Sequence, residues 1–129
     1  MARILIIEDE RPLADLLAGI LEREGHEVLA AANAVDGIGQ AIAHRPDVVI
    51  ADWMPKNRIH GGEAASRIRT ACPDVKIIII TGHLEIASRA RSWCDCIGEV
   101  LEKPFHSERL VAAVRRLLSE EKPFLAKLC

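Results

Sequence analysis

Ile4-Leu5-Ile6-Ile7-Glu8-Asp9 runs four aliphatic residues, without a break, into two adjacent acids. A strand that is apolar in succession, rather than alternately, is covered on both faces, as in a parallel sheet between two layers of helices. Three more runs have the same form. Val48-Val49-Ile50-Ala51 ends in Asp52, Ile77-Ile78-Ile79-Ile80 ends in Thr81, and Val100-Leu101-Glu102 leads into Lys103-Pro104. Parallel neighbours bring their carboxyl ends to one edge, so Glu8, Asp9, Asp52, Thr81 and Lys103 are expected to share one pocket. Three carboxylates, a hydroxyl and an ammonium suit a divalent cation and a phosphoryl group.

Helical stretches separate these runs. Leu13, Leu16, Leu17, Ile20 and Leu21 form a stripe at helical spacing over 12–24, with Pro12 suited to the first turn and Gly25 to the stop. A short strand over 27–31 follows. Asn33 is placed to cap a helix over 34–44 with Ile38 and Ile42 facing inward, and Pro46 closes it. A strand over 47–52, a polar loop over 54–62 and a helix over 62–70 come next. A strand over 75–81 leads to a short, weakly patterned helix over 84–92. A last strand over 98–101 precedes a helix opened by Ser107, with Leu110, Val111, Val114, Leu117 and Leu118 as its stripe. Five strands alternating with five helices predict an open, doubly wound α/β sheet, with its ligand site beyond the carboxyl ends of the strands.

At 129 residues the chain is read as one domain, long enough to build its own core. A net charge of −2 with both signs interspersed argues against direct nucleic-acid binding as the main business. The apolar runs are too short for a membrane span, and a signal-peptide core is missing at the N-terminus. Cys94-Asp95-Cys96 is too tight for a CxxC zinc or redox site, so Cys72, Cys94, Cys96 and Cys129 are read as thiols of a cytoplasmic protein.

Taken singly, the candidate residues are ambiguous. Two acids after a strand often face solvent, Thr81 fits a helix cap, and Lys103 fits a solvated lysine. Asp52 is the sharper signal. It ends an apolar strand directly, and a carboxylate there needs a cation or a donor. The Lys103–Pro104 bond is a candidate cis peptide. All these positions occurring together, in this order, single out the set.

With these residues, the sequence resembles the receiver domain of bacterial two-component response regulators. The likeness rests on Ile4-Leu5-Ile6-Ile7-Glu8-Asp9-Glu10, Asp47-Val48-Val49-Ile50-Ala51-Asp52, Met54-Pro55, Thr81 and Lys103-Pro104-Phe105, and covers about residues 2–119. It implies a flavodoxin-like (βα)5 fold with a five-stranded parallel sheet in the order 2-1-3-4-5. It implies Asp52 as phosphoacceptor, taking a phosphoryl group from a histidine kinase or a histidine phosphotransfer protein in a Mg2+-dependent reaction, with Mn2+ as a substitute. Asp9 would bind the metal directly and Glu8 through water, with Asp52 and the backbone carbonyl of Met54 completing the ligands. Lys103 would pair with the phosphoryl oxygens and Thr81 would move to meet them. Such a domain is a signalling module that catalyses only its own phosphorylation and dephosphorylation.

The chain departs from the family pattern in three places. Val100 stands where an aromatic switch residue is common, and the chain has no tyrosine. Pro55 lies one residue closer to Asp52 than usual, which implies a remodelled loop over 57–61. Gly82 replaces a common alanine. In the family, the positions of Met54 and His83 influence how fast water removes the phosphoryl group. Residues 1–119 are expected to be the receiver domain and 120–129 a short tail without an output domain, in which Phe124, Leu125 and Leu128 offer a contact. Output would pass through a partner, another phosphotransfer protein or self-association as a homodimer. A scaffold that binds partners without useful phosphorylation is a second reading, favoured by Val100 and the loop. A turnover enzyme on the same architecture is a third, disfavoured because a glycine-rich phosphate loop does not follow the first strand.

Overall fold

The computed structural model describes residues 1–54 and 58–120. The strands are β1 (Arg3–Ile7), β2 (Glu27–Ala31), β3 (Val48–Asp52), β4 (Lys76–Thr81) and β5 (Ile97–Glu102). The helices are α1 (Arg11–Arg23), α2 (Ala34–His44), α3 (Gly61–Ala71), α4 (Leu84–Ala87) and α5 (Ser107–Ser119), with a 3₁₀ turn at Ala90–Trp93. The strands form one parallel sheet in the order β2-β1-β3-β4-β5. This is the order the resemblance implies.

The unbroken apolar runs are explained by two cores, one on each face. Leu5, Ile7, Val49, Ala51, Ile77 and Ile79 point into a core shared with Ala34 and Ala41 of α2 and Ala64, Ala65 and Ile68 of α3. Ile4, Ile6, Val48, Ile50, Ile78 and Ile80 point into a second, shared with Leu17 and Leu21 of α1 and Leu110, Val114 and Leu117 of α5. Alternate residues of each strand serve opposite cores, so every position of the run must be apolar.

The helix boundaries follow local chemistry. Pro12 sits in the first turn of α1, and Gly25 adopts φ +90 beyond its end. Asn33 caps α2, its side chain accepting from the Asp36 N–H at 2.9 Å. Arg45, at φ 50, ends α2 in the left-handed region.

Five expectations need correction. Leu16, Ile42 and Leu118 were expected to face inward, but they are 60%, 50% and 37% exposed. The buried stripes instead use small residues, Ala14 in α1, Gly37 and Ala41 in α2 and Ala113 in α5. These let a helix approach the sheet closely, and a methyl added at Gly37 would lie 2.4 Å from Ile7 Cδ1. The helix expected over 84–92 is split into α4 and the 3₁₀ turn. Cys94 and Cys96 are joined in a disulfide rather than standing as thiols, because the turn at Asp95 brings their Cα atoms to 5.2 Å, within bridging range. Cys72 is free and buried. The expectations for Pro55 and for Phe124, Leu125 and Leu128 fall outside the described residues.

Among the described residues, no helix is long and apolar enough to cross a membrane. The rotated stripe of α1 is open to direct test. Leu21→Ala removes a fully buried side chain and is expected to cost about 2–5 kcal/mol in urea unfolding. Leu16→Ala is expected to stay within about 0.5 kcal/mol of the parent. Equal losses would contradict the observed facing of α1.

Candidate functional site

Each site residue is fixed by the ladder of the strand that carries it. The Glu8 N–H donates to Ala31 O at 3.0 Å, extending the β1–β2 pairing past the end of β1. The Trp53 N–H donates to Ile80 O at 2.9 Å and the Lys103 N–H to Thr81 O at 2.8 Å, which does the same for β3 and β5. Lys103–Pro104 is a cis peptide, as the sequence suggested.

The expected convergence is present. Carboxylate oxygens of Glu8, Asp9 and Asp52 lie within 4.8 Å of one another. Lys103 Nζ donates to Asp52 Oδ2 at 2.9 Å and lies 3.6 Å from Glu8 Oε1. The first contact is a charge-assisted hydrogen bond; the second is an ion-pair distance only. Asp9 is exposed, Asp52 is half-buried and Glu8 is 3% exposed. Thr81 is buried at the end of β4, and its hydroxyl accepts from the His83 N–H at 3.1 Å. It thus caps the turn into α4 while sitting at the rim of the acidic cluster's strand edge.

The two described ends of the loop after Asp52, at Trp53–Met54 and His60–Gly61, are tightly built. The Met54 N–H donates to Asp52 Oδ1 at 3.2 Å, and Met54 is buried with φ 52, an uncommon conformation for a residue with a side chain. The Gly61 N–H donates to Trp53 O at 2.6 Å, and a methyl added at Gly61 would lie 2.6 Å from the Asp52 carbonyl oxygen. Glycine is therefore needed where α3 begins. His60 caps α3, its Nδ1 accepting from the Gly62 and Glu63 N–H groups at 3.1 and 3.2 Å. The same imidazole stacks on Trp53 at 4.6 Å and meets Trp93 edge-on at 4.4 Å. Sequence reasoning missed this aromatic group, because Trp93 lies some forty residues from Trp53 and histidine is a poor advertisement for a cap.

The electrostatics are those of crowded acids. Glu8 is raised from 4.5 to about 8, chiefly by burial, with the neighbouring carboxyl groups of Asp52 and Asp9 adding to it and the Glu10 N–H opposing. Burial pulls the Lys103 ammonium down, but the hydrogen bond and charge of Asp52, with the charges of Glu8 and Glu10, hold it above 10.5. Lys103 is thus paired with Asp52, and burial favours the protonated form of Glu8.

These residues fit a hard divalent cation. All three acids offer oxygen ligands, and among the described residues Glu8 Oε1 is buried without a hydrogen-bond partner. A buried acceptor left unmatched is costly unless a cation or water meets it.

Above the site, Val100 lies on β5 opposite Ile79, three residues before Lys103. An open groove of about 510 Å³ lies beside it, lined by Glu85, Ala87, Ser88, Arg91, Val100 and Glu102.

The raised acid gives a signed prediction. A folded-state value above the ordinary one stabilises the fold fully below pH 4.5 and loses that contribution as pH rises toward 8. Without metal, stability is expected to fall across this window by at most about 1.4 kcal/mol per pH unit from this one proton. Glu8→Gln, or saturating Mg2+, is expected to flatten the slope. Urea unfolding over a pH series measures it; an identical slope in Glu8→Gln would remove Glu8 as the cause.

Comparison with known proteins agrees with this geometry. The family model described as the response regulator receiver domain matches residues 4–115. The nitrogen assimilation regulatory protein NtrX of Azorhizobium caulinodans is 34% identical over 116 residues, covering 89% of this chain and 26% of that protein. The response regulator MprA of Mycobacterium avium is 30% identical over 121 residues, covering 94% and 53%. The chain therefore spans between a quarter and about half of these relatives. The receiver domain of NtrX from Brucella abortus superposes with a TM-score of 0.83 at 31% identity, covering 92% of this chain and 99% of that one. The response regulator TrrA of Thermotoga maritima, solved in complex with Mg2+ and BeF, gives 0.81 at 32%, covering 91% and 99%. With the fold, the acidic cluster and the lysine at one sheet edge, the chain belongs to the response regulator receiver domain family.

Proposed function

We propose that Asp52 accepts a phosphoryl group from a sensor histidine kinase or a histidine phosphotransfer protein. The observation that carries this reading is the contact of Lys103 Nζ with Asp52, 2.9 Å, inside a cluster whose acids lie within 4.8 Å of one another. An oxygen of Asp52 attacks phosphorus, the bond from phosphorus to the donor nitrogen breaks, and the donor histidine leaves as imidazole. Phosphoryl transfer depends mainly on positioning and on neutralising charge. Lys103 supplies a point charge that can follow the phosphoryl oxygens from the Asp52 carboxylate to which it is already bonded. Asp9 and Asp52, with Glu8 behind them, are the side chains that would hold Mg2+, or Mn2+ in its place, and the Met54 carbonyl is the backbone group suited to join them. The cation, when bound, would neutralise charge between two anions. The Mg2+ and BeF complex of TrrA supports this assignment by analogy.

Thr81 gives up its hydrogen bond with His83 to meet the phosphoryl oxygens, and this exchange biases the turn into α4. With Val100 in place of an aromatic ring, output is read from the groove beside Val100 and from the 3₁₀ turn rather than through a swinging ring on β5. The protein works in the cytoplasm, where histidine kinases deliver their phosphoryl groups, and its cycle is limited to its own phosphorylation and dephosphorylation. The output partner is a protein surface or a second copy of the chain.

The decisive experiment is labelling with a small phosphodonor, with and without Mg2+, read by intact mass. A single phosphoryl mass is expected only with Mg2+, and none in Asp52→Asn. Lys103→Ala is expected to slow labelling by about 100-fold. Labelling that survives Asp52→Asn, or that ignores Mg2+, would overturn the mechanism. Met54→Asn replaces a buried apolar side chain with one that can hold water beside the phosphoryl group, and asparagine tolerates the φ of 52 well. It is expected to shorten the phosphoryl lifetime several-fold, timed by loss of the added mass. An equal or longer lifetime would reject water exclusion by Met54.

A further inference from the structure

We propose that Cys94 and Cys96 are a reversible redox site, a dithiol–disulfide pair whose state sets the packing of Trp93 and, through the aromatic cluster, the backbone flanking Asp52. The disulfide links residues two positions apart. Closing so short a loop restrains the unfolded chain little. The domain also builds a core on each face of its sheet and needs no staple. Structural stabilisation therefore does not account for the bond. In a cytoplasmic protein a disulfide is usually transient and redox-sensing.

The site is built to exist in both states. Cys94 is half-buried and the more exposed of the two, whereas Cys96 is 9% exposed. An external thiolate attacks Cys94 Sγ, forming a mixed disulfide and releasing Cys96 as a thiolate that takes a proton. A second external thiol attacks the outer sulfur of that mixed disulfide, leaving as an external disulfide and freeing Cys94. Two electrons enter the pair from two thiols, and the reverse sequence returns them to the external disulfide. Both cysteine sulfurs already have partners for the reduced state. The Cys96 N–H lies 3.4 Å from Cys94 Sγ, placed to stabilise a Cys94 thiolate, and Cys96 Sγ lies 3.9 Å from the Ala65 carbonyl oxygen, placed to accept from the Cys96 thiol. Arg69 pairs with Asp95 between the two cysteines.

The connection to Asp52 is a short run of packed groups. Cys94 directly follows Trp93 and ends the 3₁₀ turn. Its carbonyl oxygen accepts from Ile97 N–H at 3.1 Å, and that of Cys96 accepts from Ile77 N–H at 3.0 Å, so the bridged loop is tied into the β4–β5 pairing. Trp93 meets His60 at 4.4 Å and Trp53 at 6.3 Å. The two indoles close on Gly62, where an added methyl would lie 2.8 Å from Trp53 Cη2 and 2.8 Å from Trp93 Cγ. Trp53 follows the phosphoacceptor, and its N–H and C=O are both engaged, with Ile80 and Gly61. A change in the turn at Cys94 thus has a direct route to Trp53 through Trp93 and His60. Ile86, Arg89 and Ser92 join the two rings in lining an open groove of about 570 Å³, which the redox state would reshape.

The redox site rests on the cytoplasmic location proposed above and not on phosphotransfer; its effect at Asp52 rests on the phosphoacceptor reading. The full chain is equilibrated in reduced and oxidised glutathione at stepped ratios, quenched by alkylation, and mapped by peptide mass. Cys94 and Cys96 are expected to interconvert together, as a pair, with the fold retained by circular dichroism. Tryptophan emission is expected to shift with the same midpoint, and to be insensitive to the ratio in the Cys94→Ser/Cys96→Ser variant. Labelling by a small phosphodonor with Mg2+ is expected to differ by at least about fivefold between the two states, and by nothing in the double variant. Cysteines that alkylate fully at every ratio, or a bond that opens only on unfolding, would overturn the redox site. Interconversion without a change in labelling rate would overturn the coupling. Absence of labelling at Asp52 in both states would count against the phosphoacceptor reading, while the peptide map still decides the redox site.

Discussion

The hydrogen bond from Lys103 to Asp52 is the interaction on which the rest of this molecule turns. Three carboxylates cannot be packed within a few ångströms of one another, one of them almost wholly buried, without a compensating charge. The ammonium supplies part of it, and burial eases the rest by favouring a protonated Glu8. Glu8 and Asp9 arrive together from β1, Asp52 from β3 and Lys103 from β5, the three strand ends tens of residues apart in sequence. Their meeting therefore demands that β1, β3 and β5 hold register with β4 between them. The sheet order and the unbroken apolar strands are the means by which that register is kept.

Crowded like charges also explain why the site is a place for chemistry rather than a stable salt bridge. A buried pair in a low-dielectric setting gains little over a well-packed apolar one. What it provides here is a set of oxygens and one cationic group held apart from full satisfaction, with Glu8 Oε1 the clearest case. On the proposed reading, a cation and a phosphoryl group would complete what the protein alone leaves unmatched. Thr81 stands at the edge of the sheet, its hydroxyl oxygen accepting from the His83 N–H, a contact that engages the oxygen and not the hydroxyl's own proton.

The strands and the site were legible because both are written as plain sequence signals, with apolar runs on one side and polar residues immediately after them. The helix faces were less so. Leu16, Ile42 and Leu118 look inward to any reading that weighs side-chain size, yet Ala14, Gly37, Ala41 and Ala113 hold the interface because closeness, not bulk, decides how a helix seats on a sheet. The split at the end of α4 had only a weak pattern to announce it. The His60 cap and the Trp53–His60–Trp93 group are tertiary facts, assembled from a loop and a turn far apart in the chain. The bond between Cys94 and Cys96 depends on how sharply the chain turns at Asp95, which spacing alone does not reveal.

The division of the interior into two separate cores has a consequence for protein engineering. The layer beneath α1 and α5 shares no buried side chain with the layer that carries Trp53, Ala64, Ala65 and Ile68. The sheet acts as a bulkhead between them. Tolerance to heat or solvent can therefore be adjusted by repacking around Leu17, Leu21, Leu110 and Leu117, and natural drift can accumulate there, while the compartment bordering the Asp52 loop evolves under its own constraints.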